Sequence, residues 1–596
     1  MNRTPLRPLA RVLEAREKGE NPDNIEKENR RLRHEEMRDT SRLRAEGRLL
    51  VLGVMFFCAF GVIGARMGTI AASEAEEPRA AATGSPVVTS RADIVDRKGR
   101  VLATNMSTYS LYAHPQQMIE PERAAQELGR IFPDIDVPAL AARFNDPERK
   151  FAWVRRSISP EQRQAVHDIG EPGLLFGPRE MRLYPNGAIA AHILGGTRFG
   201  VEGVHSAEIV GSAGLEKFMD ERLTDTKRDG APLELSIDLT VQAVSEEVLD
   251  AGMKLLNAKG AASVLMDVKT GEVISLVSLP DFDPNDRPNP LTEGNASDSP
   301  LFNRAVQGVY ELGSAFKIFT AAQAMQLGLV NPNTVIDTKP PMKVGGFRIG
   351  EFQNKNYGEL TVEEIIVKSS NRGTGKMALA IGVARQQEFL RNLGFFDPTP
   401  LEIVEAKGGK PLLPKKWTDL SAVTISYGHG ISTSPLHLAA GYAAIANGGR
   451  AVEPTLLKQN GPQMGMQIMD PQSAAAARLM LRKVVTEGTA SFGEVPGYHV
   501  GGKTGTADKP KERGGGYYED KVIATFATIF PAHDPKYALV VTLDEPVETS
   551  GEKPRRTAGW TAVPVAAEMI GRIAPLLGLR PEFKRGQLET IVQTSN

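Results

Sequence analysis

The uncharged run from Leu49 to Ala65 constrains this chain more than any other feature. Its 17 residues extend about 25 Å as a helix, slightly short of the ~30 Å hydrocarbon core of a bilayer. Arg66 can snorkel to the interface, and continuing the helix to Ile70 closes the gap. A cleaved signal peptide would need a charged leader of 48 residues, so we predict an uncleaved transmembrane helix over residues 49–70.

The charges on either side of this helix predict its orientation. Residues 1–48 carry 13 Lys or Arg against 10 Asp or Glu, whereas Glu74, Glu76 and Glu77 follow the span. Because basic residues favour the cytoplasmic side, we predict a cytoplasmic tail at 1–48 and a periplasmic remainder, in a single-pass protein of the inner membrane. Residues 71–87 are rich in Ala, Glu, Pro and Gly and are typical of a flexible linker.

Composition excludes several other classes of function. A chain of 596 residues is too long for one hydrophobic core, so several folded units are expected. The net charge of −1 gives no indication of a nucleic-acid partner. With the single cysteine Cys58, no intrachain disulfide is possible. The histidines lack metal-ligand spacings such as His-Glu-x-x-His, so we predict no metal site and no cofactor; His429 and His437 are expected to be structural.

Two folded domains are predicted after the linker, giving an α+β protein. Residues 88–230 begin with a strand, a turn and a strand at Arg91–Ala103 and continue with helical patterns at Glu122–Phe132, Ala139–Phe144 and Pro160–Asp168. We expect a mixed α/β pedestal that raises the second domain above the membrane.

The second domain is predicted over residues 231–580, with a C-terminal tail at 581–596. Strand patterns lie at both ends of it around a mainly helical middle, and Ala562–Leu579 is an amphipathic helix. This order favours one antiparallel sheet sandwiched by helices. The segment between Ala507 and Val522, with its three consecutive glycines, is expected to be a mobile loop beside the site.

Ser314 and Lys317 carry the first sign of chemistry. A helical pattern begins after Gly313, so the two side chains lie one turn apart on the same face. A serine hydroxyl needs a base to act as a nucleophile, and a lysine whose pKa is lowered by burial can serve. An isolated Ser-x-x-Lys is more often an N-cap serine beside a solvated lysine. The polar loop at Ser550–Lys553 repeats the pattern without such an environment.

Two further motifs follow in the order expected of a serine acyl-transfer site. Ser369-Ser370-Asn371 lies 55 positions after Ser314, and Lys503-Thr504-Gly505-Thr506 lies 132 positions after Asn371. Strand-like runs follow Lys503, as expected if Lys503 itself lies on a strand at the edge of the active site. Lys269-Thr270-Gly271 repeats the third motif, but it precedes the serine and is flanked by apolar runs, so it is interpreted as a hairpin turn.

On these residues the sequence resembles a class B penicillin-binding protein, and more narrowly the division-specific peptidoglycan D,D-transpeptidases of the FtsI type. The resemblance covers nearly the whole chain, including pedestal motifs at Arg91–Ala103, Arg182–Gly195 and Gly211–Glu216. It implies cross-linking of stem peptides at the septum and acylation by β-lactams. It also implies contacts of the membrane span with a glycan polymerase of the FtsW type and of the pedestal with other division proteins.

The resemblance also implies a role for each motif residue. Ser314 would attack the carbonyl between two terminal D-alanines, Lys317 would be its base, and Ser369 would relay a proton to the leaving amine. Asn371 would hold a substrate amide, and Lys503 would set the electrostatic field. The substrate-binding residues would be Thr504, Gly505 and Thr506, and the backbone N–H groups of Ser314 and Thr506 would form the oxyanion hole.

The sequence departs from the family pattern at a few positions, and other functions stay open. Leu312 and Ala315 replace a common proline and threonine beside the nucleophile, without removing a reactive group. Arg372 replaces a small apolar residue and is expected to alter the acceptor side of the cleft.

A β-lactamase is disfavoured by the anchor and the pedestal. An elongation-type transpeptidase and a catalytically silent division scaffold are the remaining alternatives.

Overall fold

The chain forms two compact units. A computed structural model describes residues 9–72, 91–202, 207–228, 230–511 and 515–583. The first unit comprises Met1–Glu77, Ala113–Ala152 and Glu171–Gly173, and the second comprises the rest. The predicted linker lies outside the described residues from position 73, as does the predicted C-terminal tail from position 584.

Two helices, Leu9–Glu17 and Pro22–Ala72, form the N-terminal part of the first unit. Leu49–Met67 is the apolar part of the second helix, and its side chains are exposed. Among the described residues it is the one helix long and apolar enough to cross a membrane, which confirms the predicted spanning segment. The helix begins 27 residues before Leu49, within the predicted tail.

Two helices of the pedestal segment also belong to the first unit. They are Pro121–Ile131 and Val137–Phe144, close to the predicted ranges. Each has a proline in its first turn. Backbone N–H groups in the first turn have no partner within the helix, so a proline there removes no helical hydrogen bond. Asp136 caps the second helix by accepting a hydrogen bond from the Ala139 N–H at 3.0 Å.

The remainder of the pedestal contains a five-stranded sheet. Its strands are Ile94–Val95, Val101–Ala113, Ala152–Ile158, Leu174–Leu183 and Leu233–Glu234. The predicted helix at Pro160–Asp168 is present, with a capping box of Ser159 and Gln162. Gly196–Glu202 and Ala207–Ala213 pair as a separate hairpin.

A buried charge network joins the three pedestal motifs. Glu216 forms ion pairs with Arg91 at 2.6 Å and with Arg182 at 2.7 Å, and all three side chains are almost fully buried. Buried charges are tolerated when they are paired and hydrogen-bonded, and losing one partner is strongly destabilising. The network therefore accounts for Arg91, Arg182 and Glu216 as structural residues.

The second predicted domain, at 231–580, is built on a five-stranded antiparallel sheet. In spatial order the strands are Gly501–Pro510, Tyr517–Phe530, Tyr537–Asp544, Gly260–Asp267 and Val273–Leu279. Gly501–Pro510, here called the active-site strand, forms one edge of this sheet. Lys269–Gly271 lies in the turn between the last two strands, which confirms its interpretation as a hairpin turn.

Helices cover both faces of the sheet, as predicted. Leu239–Leu255 and Ala562–Leu576 pack together on one face, and Pro435–Ala446 packs on the other. The other helices of the domain are Lys317–Gln326, Val362–Lys368, Asn371–Ile381, Val383–Asn392, Asp419–Ser426 and Pro471–Glu487. Strand residues such as Val264 and Val540 are fully buried, so the core lies between the sheet and its helices.

The prediction of a loop between Ala507 and Val522 is wrong for most of these residues. The active-site strand continues to Pro510, and its partner begins at Tyr517, with Pro510 paired to Tyr517. Both strands continue beyond the apolar part of the sheet, where their side chains are polar and exposed. Backbone pairing in a hairpin does not need an apolar face, so the hydrophobic pattern underestimated the length of the strands.

Candidate active site

Ser314 lies in a turn of 3-10 helix, Gly313–Phe316, that leads directly into the helix Lys317–Gln326. Gly313 has φ +55°, and a Cβ at this position would lie 2.8 Å from the backbone oxygen of Thr506. Only glycine fits this approach, which brings the serine turn against the active-site strand. Ser314 itself is half-buried, so its hydroxyl can reach a substrate.

Lys317 is fully buried one turn after Ser314. Its Nζ donates hydrogen bonds to the Ser369 backbone oxygen at 2.5 Å and to Ser369 Oγ at 3.1 Å. Burial lowers the pKa of Lys317 to about 7, and the negative charge of Glu351 acts in the opposite direction. The side chain is therefore partly neutral near pH 7, as a general base must be.

Ser369 connects the helices Val362–Lys368 and Asn371–Ile381. Its φ of +64° lies in the left-handed region, which is costly for a residue other than glycine and is concentrated at functional sites. The Ser369 hydroxyl is 3.1 Å from Lys317 Nζ and 3.0 Å from Lys503 Nζ. A single hydroxyl is thus placed to exchange protons with two amines.

Lys503 is fully buried on the active-site strand. Its Nζ also donates to the backbone oxygen of Thr504 at 3.2 Å. Burial, reinforced by the nearby Lys317, lowers the pKa of Lys503 well below its ordinary value. An anionic substrate group would favour the charged form of Lys503 and relieve part of the burial cost.

The other residues of the third motif lie on the same strand. Thr504 Oγ1 is 2.7 Å from Thr489 Oγ1, and Thr506 Oγ1 accepts a hydrogen bond from the Ala558 N–H at 3.0 Å. A Cβ on Gly505 would lie 2.1 Å from the backbone oxygen of Leu312. Gly505 therefore permits the contact between the strand and the serine turn.

Asn371 begins the helix after Ser369. Its Nδ2 donates to the Gly350 backbone oxygen at 3.0 Å, and its side chain is partly exposed. The structure therefore brings the predicted residues of all three motifs together, namely Ser314, Lys317, Ser369, Asn371, Lys503, Thr504, Gly505 and Thr506. Ser550 lies in an exposed turn elsewhere, and Lys553 is exposed as well.

Glu351 is a site residue that the sequence analysis missed. Its buried carboxylate accepts hydrogen bonds from Ser370 Oγ at 2.6 Å, the Asn371 N–H at 2.7 Å and the Arg372 N–H at 3.0 Å. A carboxylate at a helix N-terminus satisfies otherwise unpaired N–H groups and interacts favourably with the helix dipole. Glu351 therefore fixes the second motif, although no spacing in the sequence marks it.

Arg372 is held by Glu351 and by the backbone of Lys355. Its side chain is almost fully buried, with Nε 3.4 Å from Glu351 Oε1 and Nη2 donating to the Lys355 backbone oxygen at 2.8 Å. The charge of Arg372 is balanced by Glu351 behind the motif. The sequence could not show this pairing because the two residues are 21 positions apart.

A second missed residue, Glu311, lies just before the serine turn. It accepts hydrogen bonds from the Gly430 N–H at 2.7 Å and from the Tyr517 hydroxyl at 3.1 Å. His429 Nδ1 lies 3.4 Å from its carboxylate, and burial lowers the pKa of His429. Glu311 thereby joins the serine turn to the hairpin that carries the active-site strand.

Comparisons with known proteins agree with this arrangement of motifs. Residues 261–567 match the family model of the penicillin binding protein transpeptidase domain, and residues 86–228 match that of the penicillin-binding protein dimerisation domain. The chain belongs to the penicillin-binding protein transpeptidase family. The presence of both domains confirms the predicted class B organisation, in which a pedestal precedes the penicillin-binding domain.

Individual penicillin-binding proteins are similar over most of the chain. A probable peptidoglycan D,D-transpeptidase FtsI of Caulobacter vibrioides is 32% identical and covers 93% of this chain and 92% of its own length. The peptidoglycan D,D-transpeptidase FtsI of Escherichia coli is 28% identical, covering 83% and 85%. The crystal structure of penicillin-binding protein 3 from Mycobacterium tuberculosis, complexed with aztreonam, has the same fold, with a TM-score of 0.62 over 83% of this chain at 24% identity.

Proposed function

We propose that this penicillin-binding protein is a septal peptidoglycan D,D-transpeptidase that cross-links stem peptides through an acyl-enzyme on Ser314. This proposal rests mainly on the positions of two lysines. Lys317 Nζ and Lys503 Nζ lie 3.1 and 3.0 Å from the Ser369 hydroxyl. The similarity to D,D-transpeptidases of the FtsI type supports the substrate and the division role.

In the acylation step, Ser314 Oγ attacks the carbonyl carbon between the two terminal D-alanines. Lys317, partly neutral near pH 7, accepts the serine proton. The developing oxyanion is bound by the backbone N–H groups of Ser314 and Thr506. This assignment is supported by the close approach of the two segments, because a Cβ on Gly313 would lie 3.1 Å from the Thr506 nitrogen.

Collapse of the tetrahedral intermediate breaks the peptide bond and releases D-alanine. The leaving amine needs a proton, which Ser369 Oγ passes on from Lys317 because the hydroxyl and the amine are hydrogen-bonded. An amine on a neighbouring stem peptide then attacks the ester carbonyl. Its proton returns through Ser369 and Lys317 to the departing Ser314 oxygen. The products are the cross-link and free Ser314.

Substrate binding is assigned to the remaining motif residues. Lys503, Thr504 and Thr506 bind the terminal carboxylate, and Gly505 allows the strand to approach the serine turn. Asn371 holds an amide of the donor peptide, for which its Oδ1 is suited because Nδ2 is occupied by Gly350. β-Lactams present a reactive amide and a carboxylate in a similar arrangement and acylate Ser314 in place of the peptide.

We further propose the topology and partners that the sequence predicted. The tail at 1–48 is cytoplasmic, the helix at 49–70 lies in the inner membrane, and a linker at 71–87 leads to the periplasmic pedestal at 88–230 and the catalytic domain at 231–580. The exposed apolar face of Leu49–Met67 suits a polytopic glycan polymerase of the FtsW type. Other division proteins would bind the pedestal.

The activity is tested with the full chain in detergent, glycan strands bearing pentapeptide stems, and chromatography of the digested product. Wild-type protein should release D-alanine and form cross-linked peptides in equal amounts, and Ser314→Ala should do neither. D-alanine release without cross-links would instead indicate a hydrolase. Cross-linking by the Ser314→Ala variant would refute the assignment.

The cellular role is tested by depletion. A septal enzyme should give filaments that elongate without dividing, whereas an elongation enzyme should give rounded cells. Complementation separates catalysis from a scaffold role, because Ser314→Ala should fail to restore division while Ser550→Ala should restore it. Full rescue by Ser314→Ala would favour the silent scaffold.

A further inference from the structure

Three side chains with metal-binding atoms that belong to none of the three motifs lie close together. They are His499, His533 and Glu582, and their ligand atoms all lie within 4.8 Å of one another. The Nε2 atom of His533 is 3.4 Å from Glu582 Oε2, and that of His499 is 3.8 Å from the same oxygen. The residues are 34 and 49 positions apart, which explains why no spacing in the sequence indicated them.

Backbone contacts hold the three segments together independently of these side chains. The Ala532 N–H donates to the His499 backbone oxygen at 2.8 Å, and the Glu582 N–H donates to the Gly497 backbone oxygen at 2.9 Å. A Cβ on Gly497 would lie only 2.6 Å from Pro581 Cβ, so the C-terminal segment is closely packed here. The cluster is therefore set by the fold and does not depend on a chance meeting of flexible ends.

The two imidazole rings are arranged edge to face, with centroids 5.2 Å apart. His499 has φ +45°, an uncommon backbone conformation for a residue other than glycine. Left-handed backbone at a non-glycine residue is often found where a side chain must be directed to a particular place. Here it accompanies a histidine that lies beside both other members of the cluster.

The geometry points to a site for a divalent zinc-class ion, and we propose that His499, His533 and Glu582 bind one zinc ion per chain. Zinc–nitrogen and zinc–oxygen bonds of about 2.0–2.1 Å in a tetrahedron place ligand atoms ~3.4 Å apart. The Nε2 atoms of His533 and His499 lie 3.4 and 3.8 Å from Glu582 Oε2, close to that value. Two imidazoles and a carboxylate are a donor set that zinc accepts, with solvent in the fourth position. Partial exposure of all three residues gives the ion and that solvent molecule access.

The consequence of zinc binding would be structural. His499 lies two positions before the active-site strand begins at Gly501, His533 lies after the neighbouring strand ends at Phe530, and Glu582 follows the last helix. One ion would therefore fasten the C-terminal segment to the end of the two strands. This inference does not depend on the proposed transpeptidase activity.

The experiment is a calorimetric titration of zinc chloride into the full chain in detergent, purified without a histidine tag and freed of metal with a chelator. Wild-type protein should bind one zinc ion, and His533→Ala and Glu582→Gln should each weaken binding by about tenfold or more. His499→Asn should do the same while keeping a residue that tolerates left-handed backbone. Labelling by fluorescent penicillin checks that each variant is folded.

His167→Ala is the matched control, because His167 is an exposed histidine of the pedestal outside the cluster. It should bind zinc as the wild type does. X-ray absorption of the zinc complex should show nitrogen and oxygen ligands including two imidazoles. Equal affinity in wild type, His533→Ala and Glu582→Gln would overturn the proposal, as would no binding by the wild type at about 1 mM zinc.

Discussion

Lys317 Nζ lies 3.1 Å from Ser369 Oγ, and Lys317 begins the helix that directly follows the turn carrying Ser314. The lysine is fully buried, so its charged form is disfavoured and its amine can take up a proton. In the proposed mechanism, the hydroxyl carries a proton from this base to the leaving amine. The hydrogen bond therefore joins the first two motifs into one proposed proton-transfer unit.

The rate of acylation should depend on pH through this unit. Because the pKa of Lys317 is lowered to about 7, the amine is protonated below that pH and cannot accept the Ser314 proton. The rate constant for fluorescent penicillin should therefore rise about tenfold per pH unit below the midpoint and level off above it. Stopped-flow measurements between about pH 5 and 9 check this, and a flat profile would rule out Lys317 as the base.

Lys317→Met should remove acylation while stabilising the fold. The pKa of Lys317 is lower in the folded than in the unfolded chain, so burial of this amine penalises folding most at and below pH 7. Methionine has a similar length and no charge to desolvate, and we expect an increase in Tm of about 2–4 °C near pH 7.

The stability gain of this variant should have its own pH dependence. Above about pH 10 the unfolded chain also holds a neutral lysine, so the burial penalty disappears. The difference in Tm between Lys317→Met and wild type should therefore shrink as the pH rises from 7 toward 10. Calorimetry at several pH values measures it, and a difference that is constant or grows with pH would contradict the account.

Glu351→Gln tests the residue that fixes the second motif. The amide keeps the shape of the side chain but weakens the three hydrogen bonds from Ser370, Asn371 and Arg372. We expect acylation to slow by about tenfold, equivalent to ~1.4 kcal/mol. Because the charge of Glu351 raises the pKa of Lys317, its removal should also move the midpoint of the pH profile to lower pH.

The matched control is Glu359→Gln, since Glu359 is an exposed carboxylate paired only with the exposed Lys339 among the described residues. It should change neither the rate nor the midpoint. A slower Glu351→Gln variant with an unchanged midpoint would show that Glu351 acts through packing alone.

Gly505→Ala should disrupt the contact between the active-site strand and the serine turn. The added Cβ would lie 2.1 Å from the Leu312 backbone oxygen, so one of the two segments must move. We expect a loss of stability of about 2–3 kcal/mol and a strong loss of acylation. Gly461→Ala is the control, because a Cβ there meets nothing within 4 Å; equal Tm values for the two variants would contradict the close packing.

Sequence patterns predicted the parts of the fold that have a strong local signal. The apolar stretch after Leu49 and the helix at Pro160–Asp168 could be read directly, because charge and periodicity are local properties. The three motifs could be recognised from their residue types and order, and the structure brings them together. The strand extension to Pro510 was missed because backbone pairing there leaves no hydrophobic pattern.

The remaining features depend on contacts between residues that are distant in the sequence. Glu351 has no distinguishing neighbour, and its importance follows from the position of the helix that begins at Asn371. Arg372 pairs with the same carboxylate from 21 positions away, which no sequence pattern indicates. The cluster around His533 likewise exists only after two strands and the C-terminal segment have packed together.

The central claim is that Ser314 is the nucleophile, and intact-mass spectrometry tests it most directly. Wild-type chain incubated with benzylpenicillin should gain the mass of one drug molecule, Ser314→Ala should gain nothing, and Ser550→Ala should behave as the wild type. Peptide mapping should place the adduct on Ser314. An adduct on the Ser314→Ala variant, or none on the wild type, would contradict the account.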